Sequence, residues 1–286
     1  MVSVYAFKGD GAMLKGKTSI EKEWKKLQKQ EIDFLVKNIR REDSALNQLL
    51  EDKVPEGLQD TLDKAFFKAF QLVFEKGTGV IEKTYNKEKI EIDYQLGEIK
   101  ADMTKDRKEL SAFSSKAKTS GAVNTLVSGV SGVGLGVLGI GVPDILLFTG
   151  MLLKNVYQIA LNFGFDYDSA EEKKFILLLI QGALSSGDDL KMINSEIDMF
   201  IDKGSVLTDE ADEISKDEQN DMRVRIQQAS ECMSKELLYM KFLQGIPFVG
   251  AVGGAYNAIY MRRVSKYAEL KYRRRFYLDK MNADKA

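Results

Sequence analysis

The chain carries one formal match to a nucleotide-binding loop near its start. Gly11, Gly16, Lys17 and Thr18 satisfy G-x-x-x-x-G-K-[ST], in which backbone N–H groups and the lysine hold phosphates and the hydroxyl binds Mg²⁺. The context argues against such a site, because no alternating strands and helices follow and the loop interior is bulky. Thr18 and Glu21 also fit a helix capping box. We interpret the match as a coincidence and expect no metal or cofactor.

Histidine is absent from all 286 residues. Its absence removes Ser-His-Asp and Cys-His nucleophile pairs, histidine-containing zinc sites and the usual general base at neutral pH. Carboxylates, lysines and tyrosines would still be able to transfer protons. The composition therefore lowers the expectation of an enzyme without excluding one, and we assign no catalytic residues.

A cluster of cations follows an uncharged run from Phe242 to Met261. Tyr260 and Tyr267 accompany it, and tyrosine is enriched at membrane interfaces. Each cation near an anionic bilayer contributes about 1 kcal/mol to binding, so the pattern predicts contact with anionic lipid. The alternative is a solvated helix whose arginines pair with the acidic segment 209–221. The cluster consists of Arg262, Arg263, Lys266, Lys271, Arg273, Arg274 and Arg275.

Two uncharged, glycine-rich segments interrupt an otherwise charged sequence, and the longer runs from Thr119 to Pro143. It is long enough to span a bilayer, for which ~20 residues suffice. Glycines spaced by three and four residues share one helical face and allow a neighbouring helix to approach closely. The segment either packs in the protein's own core, inserts into or lies on a membrane, or forms a transmembrane hairpin or a loop. The predicted helix-packing glycines are Gly129, Gly132, Gly136, Gly139, Gly250 and Gly254.

Three polar residues, Asp144, Lys154 and Asn257, lie in or beside the apolar segments. A buried polar group needs a partner, so these side chains would define a small polar pocket. The alternative is a structural role, in which Asp144 favours its helix start and Asn257 bonds to a neighbouring helix end.

Hydrophobic periodicity predicts helices along most of the chain. One apolar stripe at helical spacing consists of Ile32, Leu35, Val36 and Ile39. A second helix is predicted from about Glu56 to Lys76, and a third starts at Pro143 and closes at Gly164. Ser169 opens a capping box before the apolar run 175–180, which predicts a buried helix.

These elements predict an all-α fold, a single bundle-like domain with the two glycine-rich apolar helical segments at its centre. Residues 1–18 are expected to form an N-terminal tail and residues 19–286 the helical domain. The net charge of −1 gives no reason to expect nucleic-acid binding. A single cysteine, Cys232, and the lack of a visible secretory signal favour the cytoplasm.

The two apolar regions and their flanks resemble the EcsC family of bacterial proteins, most strongly over residues 121–286. The stretches that carry the resemblance are Gly141-Val142-Pro143-Asp144, Tyr157-Gln158-Ile159-Ala160, Phe163-Gly164-Phe165-Asp166, Ile246-Pro247-Phe248-Val249-Gly250-Ala251, Gly254, Asn257, Ala268 and Tyr272-Arg273-Arg274-Arg275-Phe276. The family takes its name from an operon that encodes an ABC transporter. The resemblance therefore implies an all-helical fold and a membrane context, and it supplies no catalytic residues.

The leading hypothesis is a non-enzymatic, peripheral membrane protein or lipid-interacting accessory protein on the inner face of the cell membrane, with a membrane surface or membrane protein as partner. The first alternative is an enzyme or carrier of small molecules or lipids with a pocket among the glycine-rich helices. The second is a membrane-active, pore-forming effector. The sequence does not assign an oligomeric state.

Overall fold

The computed structural model describes residues 19–39, 57–74, 86–104, 143–202, 216–243 and 254–283. Within these ranges the chain forms eight helices and no strand, which confirms the predicted all-α, bundle-like fold. The helices are α1 (Ser19–Ile39), α2 (Leu58–Leu72), α3 (Lys87–Thr104), α4 (Pro143–Asn162), α5 (Ala170–Leu184), α6 (Gly187–Asp202), α7 (Lys216–Leu243) and α8 (Gly254–Ala283). The glycine-rich run 119–142 and residues 244–253 lie outside the described residues.

The residues predicted to start and end the central helices lie at the observed helix bounds. α4 begins at Pro143, whose missing N–H is no loss in a first helical turn. After α4, Gly164 has φ of +82°, and a side chain there would collide with the Tyr94 ring. At the start of α5 the Ser169 hydroxyl accepts a hydrogen bond from the Glu172 N–H at 3.1 Å. These three predictions are confirmed.

The core is built where apolar faces of the helices meet. Residues 175–180 of α5 are all buried, as their sequence predicts. The predicted second helix is also confirmed, since Leu62, Phe66 and Phe70 of α2 are buried together. α1 differs from the expectation set by its apolar stripe: its buried positions are Glu23, Leu27 and Glu31, so another face of the helix packs against α8.

α4 and α8 lie side by side and run in the same direction. Ile145 and Tyr260, near the two helix starts, line one small cavity. Further along, the Asn155 amide donates a hydrogen bond to the Ser265 hydroxyl. Near the two helix ends, the rings of Phe163 and Phe276 are 6.2 Å apart. Residue numbers therefore increase in the same direction along both helices.

α5 and α7 end where α4 and α8 begin. The Arg263 guanidinium donates a hydrogen bond to the Ser185 carbonyl, directly after α5, at 2.7 Å. The Tyr260 hydroxyl donates one to the Glu236 carbonyl near the end of α7. We call this end of the bundle, formed around Ile145, Leu184, Leu237 and Tyr260, the junction end. Chain connectivity joins the runs 119–142 and 244–253 to the bundle there, because they lead directly into α4 and α8.

One stretch of α4, Ile145–Asn162, is long and apolar enough to cross a membrane, with a mean hydropathy of 1.2. In the bundle, 67% of this stretch is buried against other helices. Core helices of soluble proteins share this property, so α4 alone does not assign a membrane location.

Candidate functional site

The cations of α8 that the sequence assigns to lipid contact lie mostly in the interior. Lys271 is 1% exposed, Arg273 is 3% exposed and Arg275 is 8% exposed. A cation that leaves water needs a carboxylate and hydrogen bonds in compensation. Carboxylates of α1, α5, α6 and α8 itself are the partners.

The first group of contacts joins α8 to α1 and α6. The Lys271 Nζ atom lies 2.7 Å from the Asp198 carboxylate and 3.4 Å from Glu31. Arg274 reaches the same two carboxylates, at 3.1 Å to Glu31 and 3.6 Å to Asp198. Burial lowers the pKa of Arg274, but these carboxylates outweigh it and the net shift is upward. Two cations thus share two acids contributed by different helices.

The second group joins α8 to α5 through Glu172. Both carboxylate oxygens of Glu172 accept from the Arg275 guanidinium at 2.8 Å, and the Tyr272 hydroxyl donates to one of them at 2.6 Å. Burial, followed by the Glu172 charge, raises the pKa of Tyr272 well above its ordinary value. The Arg275 guanidinium also lies over the rings of Phe165 and Phe175, at 4.0 and 4.6 Å from their centroids. Buried arginine is thereby both neutralised and packed.

The fourth cation, Arg273, lies 3.4 Å from Glu269 one turn earlier and hydrogen-bonds to Gln30 of α1. Four cations therefore face four carboxylates along residues 269–275 of α8. We call this set the ion-pair core: Lys271, Arg273, Arg274 and Arg275 with Glu31, Glu172, Asp198 and Glu269. Charge is balanced within the set, which fits an internal structural role.

The ion-pair core differs from both interpretations of the basic cluster. Its arginines do pair with carboxylates, but the partners come from α1, α5, α6 and α8 itself. Asp221, at the end of the acidic segment, pairs instead with Lys174 at 2.9 Å. Tyr260 and Tyr267 are buried, so neither ring stands at a surface that lipid would reach.

The remaining members of the cluster lie nearer the start of α8. Arg263 approaches the buried Glu236 carboxylate at 3.9 Å, and Lys266 lies 3.6 Å from Glu269. Arg262 is exposed on the surface of the bundle.

A sequence signal for the partners of these cations is present but weak. Glu23, Leu27 and Glu31 recur every four residues, so both acids share a face of α1 with a buried leucine. Acids in register with a core position indicate buried ion pairs, whereas the more conspicuous stripe around Ile32 and Val36 draws attention to the opposite side.

The predicted polar pocket is described only at Lys154. This residue is buried on α4, and burial lowers the pKa of its amine. Asp144 and Asn257 lie in α4 and α8, but their side chains are outside the described part of the structure. The other predicted site residues outside the described ranges are Gly11, Gly16, Lys17, Thr18, Gly129, Gly132, Gly136, Gly139 and Gly250. Gly254 is the first residue of α8. Among the described residues, no group of carboxylates and thiols is arranged to hold a metal ion.

A cavity of about 10 Å³ lies at the junction end, lined mainly by apolar side chains of α2, α4, α5, α7 and α8. That volume admits about one water molecule. Pockets that bind small molecules usually measure roughly 300–1,000 Å³. The cavity therefore gives no support to the carrier hypothesis.

The fold and this site define a class of protein: an all-helical bundle closed around internal ion pairs, with apolar chain segments joined to one end. The model of the EcsC protein family matches residues 19–277, and the chain belongs to this family. It is 31% identical over 160 residues to Protein EcsC of Bacillus subtilis (strain 168). That match covers 53% of this chain and 60% of the relative's length. No solved structure matches the chain.

Proposed function

We propose that this protein is a non-enzymatic accessory protein that associates peripherally with the inner face of the cell membrane through the junction end of its bundle. The observation that carries the proposal is that two uncharged segments, 119–142 and 244–253, join the bundle at the same end. Either segment alone would be weak support. Their common point of attachment gives one place at which apolar chain would meet a bilayer.

The need to remove these segments from water supports the proposal. Burial of apolar surface contributes about 25 cal/mol per Å², and a run of more than twenty uncharged residues carries a large total. The cavity that described residues form at the junction end would not hold them, since it admits about one water molecule. Lipid is a solvent that would accept them.

The proposal does not use the ion-pair core, because its cations are already neutralised inside the protein. Arg262 is the exposed cation nearest the junction end on α8. Membrane association on this account is driven first by apolar insertion, and the helical bundle is the rigid body that presents the segments.

Vesicle flotation of the full chain tests the proposal, with the variant Leu138→Asp placed in the longer uncharged segment. We expect the wild-type chain to float with vesicles and the variant to lose most of that binding while its melting temperature stays near wild type. Leu96→Asp is the matched control, because Leu96 is an exposed leucine on α3 and its replacement should leave flotation unchanged.

Two results would count against the proposal. One is a wild-type chain that remains in the aqueous fraction with every vesicle composition. The other is a Leu138→Asp variant that unfolds, since residue 138 would then belong to the protein's own core. Dye release measured in the same samples separates peripheral binding from the pore-forming alternative, which requires leakage.

A further inference from the structure

The outward face of α1 carries two columns of residues spaced by seven. Lys22, Lys29 and Val36 form one column, and Lys25, Ile32 and Ile39 form the other. Seven residues are close to two helical turns, so each column runs along one side of the helix. Lysines occupy the first half of this face and aliphatic residues the second half.

The aliphatic half of this face meets water in the bundle. Ile32 is 54% exposed and Val36 is 44% exposed. Leu35 and Ile39 beside them are half-buried. The opposite face of α1 is the one that packs on α8, through Leu27, Glu31 and the ring of Phe34, which stacks on Tyr267 at 4.9 Å.

Charge on α1 is biased toward cations on the outside. Its exposed ionisable residues are Lys22, Lys25, Lys26, Lys29, Lys37, Glu21 and Asp33. Five cations against two acids leave an excess of three positive charges, although Lys26 also lies 3.7 Å from the buried Glu23. The remaining acid of α1, Glu31, is taken up by the ion-pair core.

The aliphatic half of α1 points toward the junction end. Phe34 stacks on Tyr267, whereas Trp24, earlier in α1, lies under Arg274. Residue numbers therefore decrease along α1 in the direction in which they increase along α8, so the two helices are antiparallel. Ile39 stands at about the level of Arg262, since each is five residues from the Phe34–Tyr267 contact.

We propose that the outward face of α1 is a lipid-binding surface, in which Ile32, Leu35, Val36 and Ile39 enter an anionic bilayer and Lys29 meets its phosphate headgroups. The inference rests on the proposed function and gives it a second contact and a lipid preference. An aliphatic face flanked by lysines is the pattern of helices that lie in a membrane interface. The surface charge of α1 complements anionic lipid, and Ile39 lies at the level of the junction end.

The lysines should contribute unequally. Lys29 is one heptad, about 10 Å, from Val36, whereas Lys22 is about 10 Å farther from the aliphatic half. The attraction of an anionic surface falls off within a Debye length of about 8–10 Å. Lys29 should therefore strengthen binding by about fivefold, and Lys22 by less.

An exposed pair on α3 makes it possible to test whether both components are needed. Ile92 and Leu96 are as exposed as the α1 pair and are four residues apart, as Ile32 and Val36 are. Their exposed charged neighbours are Glu88, Lys89 and Asp93, which leave no excess of positive charge, so an anionic bilayer would not attract that surface. The α3 pair is a matched control in the same chain.

The test is partitioning of the full chain onto vesicles of phosphatidylcholine with rising phosphatidylglycerol content. We expect the double variant Ile32→Ser, Val36→Ser to weaken partitioning by roughly tenfold. Lys29→Gln should weaken partitioning by about fivefold, and only onto vesicles that contain phosphatidylglycerol. Lys22→Gln should have a smaller effect, and Ile92→Ser with Leu96→Ser none. All substituted positions are exposed, so melting temperatures should stay near wild type.

The inference would be overturned if the α1 variants partition as the wild type does while Leu138→Asp still abolishes binding. The proposed function would remain in that case. A wild-type chain that binds no vesicle would remove both. Sedimentation velocity tests whether a second copy of this chain binds the outward face of α1 instead. A wild-type dimer that dissociates in the Ile32→Ser, Val36→Ser variant would show self-association and overturn the lipid assignment.

Discussion

The two halves of α8 solve the problem of burial in opposite ways. From Glu269 to Arg275 the helix places four cations inside the protein, and four carboxylates neutralise them. Near Tyr260 and Val264 the same helix lines an apolar cavity at the junction end. The ion-pair core requires partners from three other helices and so fixes their register. The junction end is lined mainly by apolar side chains, and hydrogen bonds from Tyr260 and Arg263 join it to α7 and α5. It also receives the uncharged segments, which is why we propose it as the place of contact with lipid.

This comparison changes the meaning of the C-terminal basic run. In sequence it resembles a membrane-binding patch, yet in the fold most of its charge holds helices together. Replacing Arg273, Arg274 and Arg275 would therefore disturb folding and would not report on lipid binding. Solvent-exposed cations lie instead on α1, at Lys22, Lys29 and Lys37.

The largest expected effect is on the ion-pair core. Glu172→Ala leaves the Arg275 guanidinium buried without its two hydrogen bonds, and removal of one partner from a buried pair typically costs about 3–5 kcal/mol. Urea unfolding of wild type and variant measures the difference. Asp60→Asn is the control, because the exposed Asp60–Lys64 pair should contribute less than about 1 kcal/mol. Equal stabilities for Glu172→Ala and Asp60→Asn would contradict a structural ion-pair core.

The next largest effects are the stability changes caused by alanine at two glycines, and these changes have opposite signs. A methyl group at Gly182 of α5 would lie 2.8 Å from the Tyr267 ring and 3.2 Å from Ile193, so Gly182→Ala should destabilise the fold by about 1–3 kcal/mol. Gly150 of α4 has open space, so Gly150→Ala should stabilise its helix by up to about 1 kcal/mol. Thermal unfolding of both variants checks the signs. A Gly182→Ala protein as stable as Gly150→Ala would show that α5 and α8 pack less closely than described.

The smallest effect concerns Cys232, whose thiol lies 3.9 Å from the Ser185 hydroxyl near the junction end. Burial raises the pKa of this thiol from 9.0 to about 11. The thiolate fraction at pH 8 is then roughly a hundredfold below that of an unshifted thiol, so labelling by a thiol reagent should be slow in the folded protein and fast in urea. Because the folded pKa is raised, this group's contribution to stability is lost as pH rises from about 9 to about 11. Rapid labelling of the native chain would mean that the junction end opens readily.

The sequence is a good guide where structure depends on neighbouring residues. Pro143, Gly164 and Ser169 act within one helical turn, and the apolar run 175–180 needs no knowledge of its partners to be recognised as buried. All of these predictions are confirmed. Local chemistry is enough to define them.

The sequence is a poor guide where structure depends on distant partners. Lys271 meets Asp198 and Glu31, which are 73 and 240 positions away, and no local pattern announces such pairs. A basic run with tyrosines has the same appearance whether it faces lipid or carboxylates. Only the arrangement of α1, α5 and α6 around α8 distinguishes the two.

Hydrogen exchange of the full chain, with and without phosphatidylglycerol vesicles, tests most directly whether the junction end meets the membrane. The account predicts slower exchange on vesicles in 119–142, 244–253 and the second half of α1, and unchanged exchange across residues 269–275 of α8. Two results would contradict this account. One is a chain that binds vesicles while exchange stays unchanged in 119–142, in 244–253 and in the second half of α1. The other is protection confined to residues 269–275.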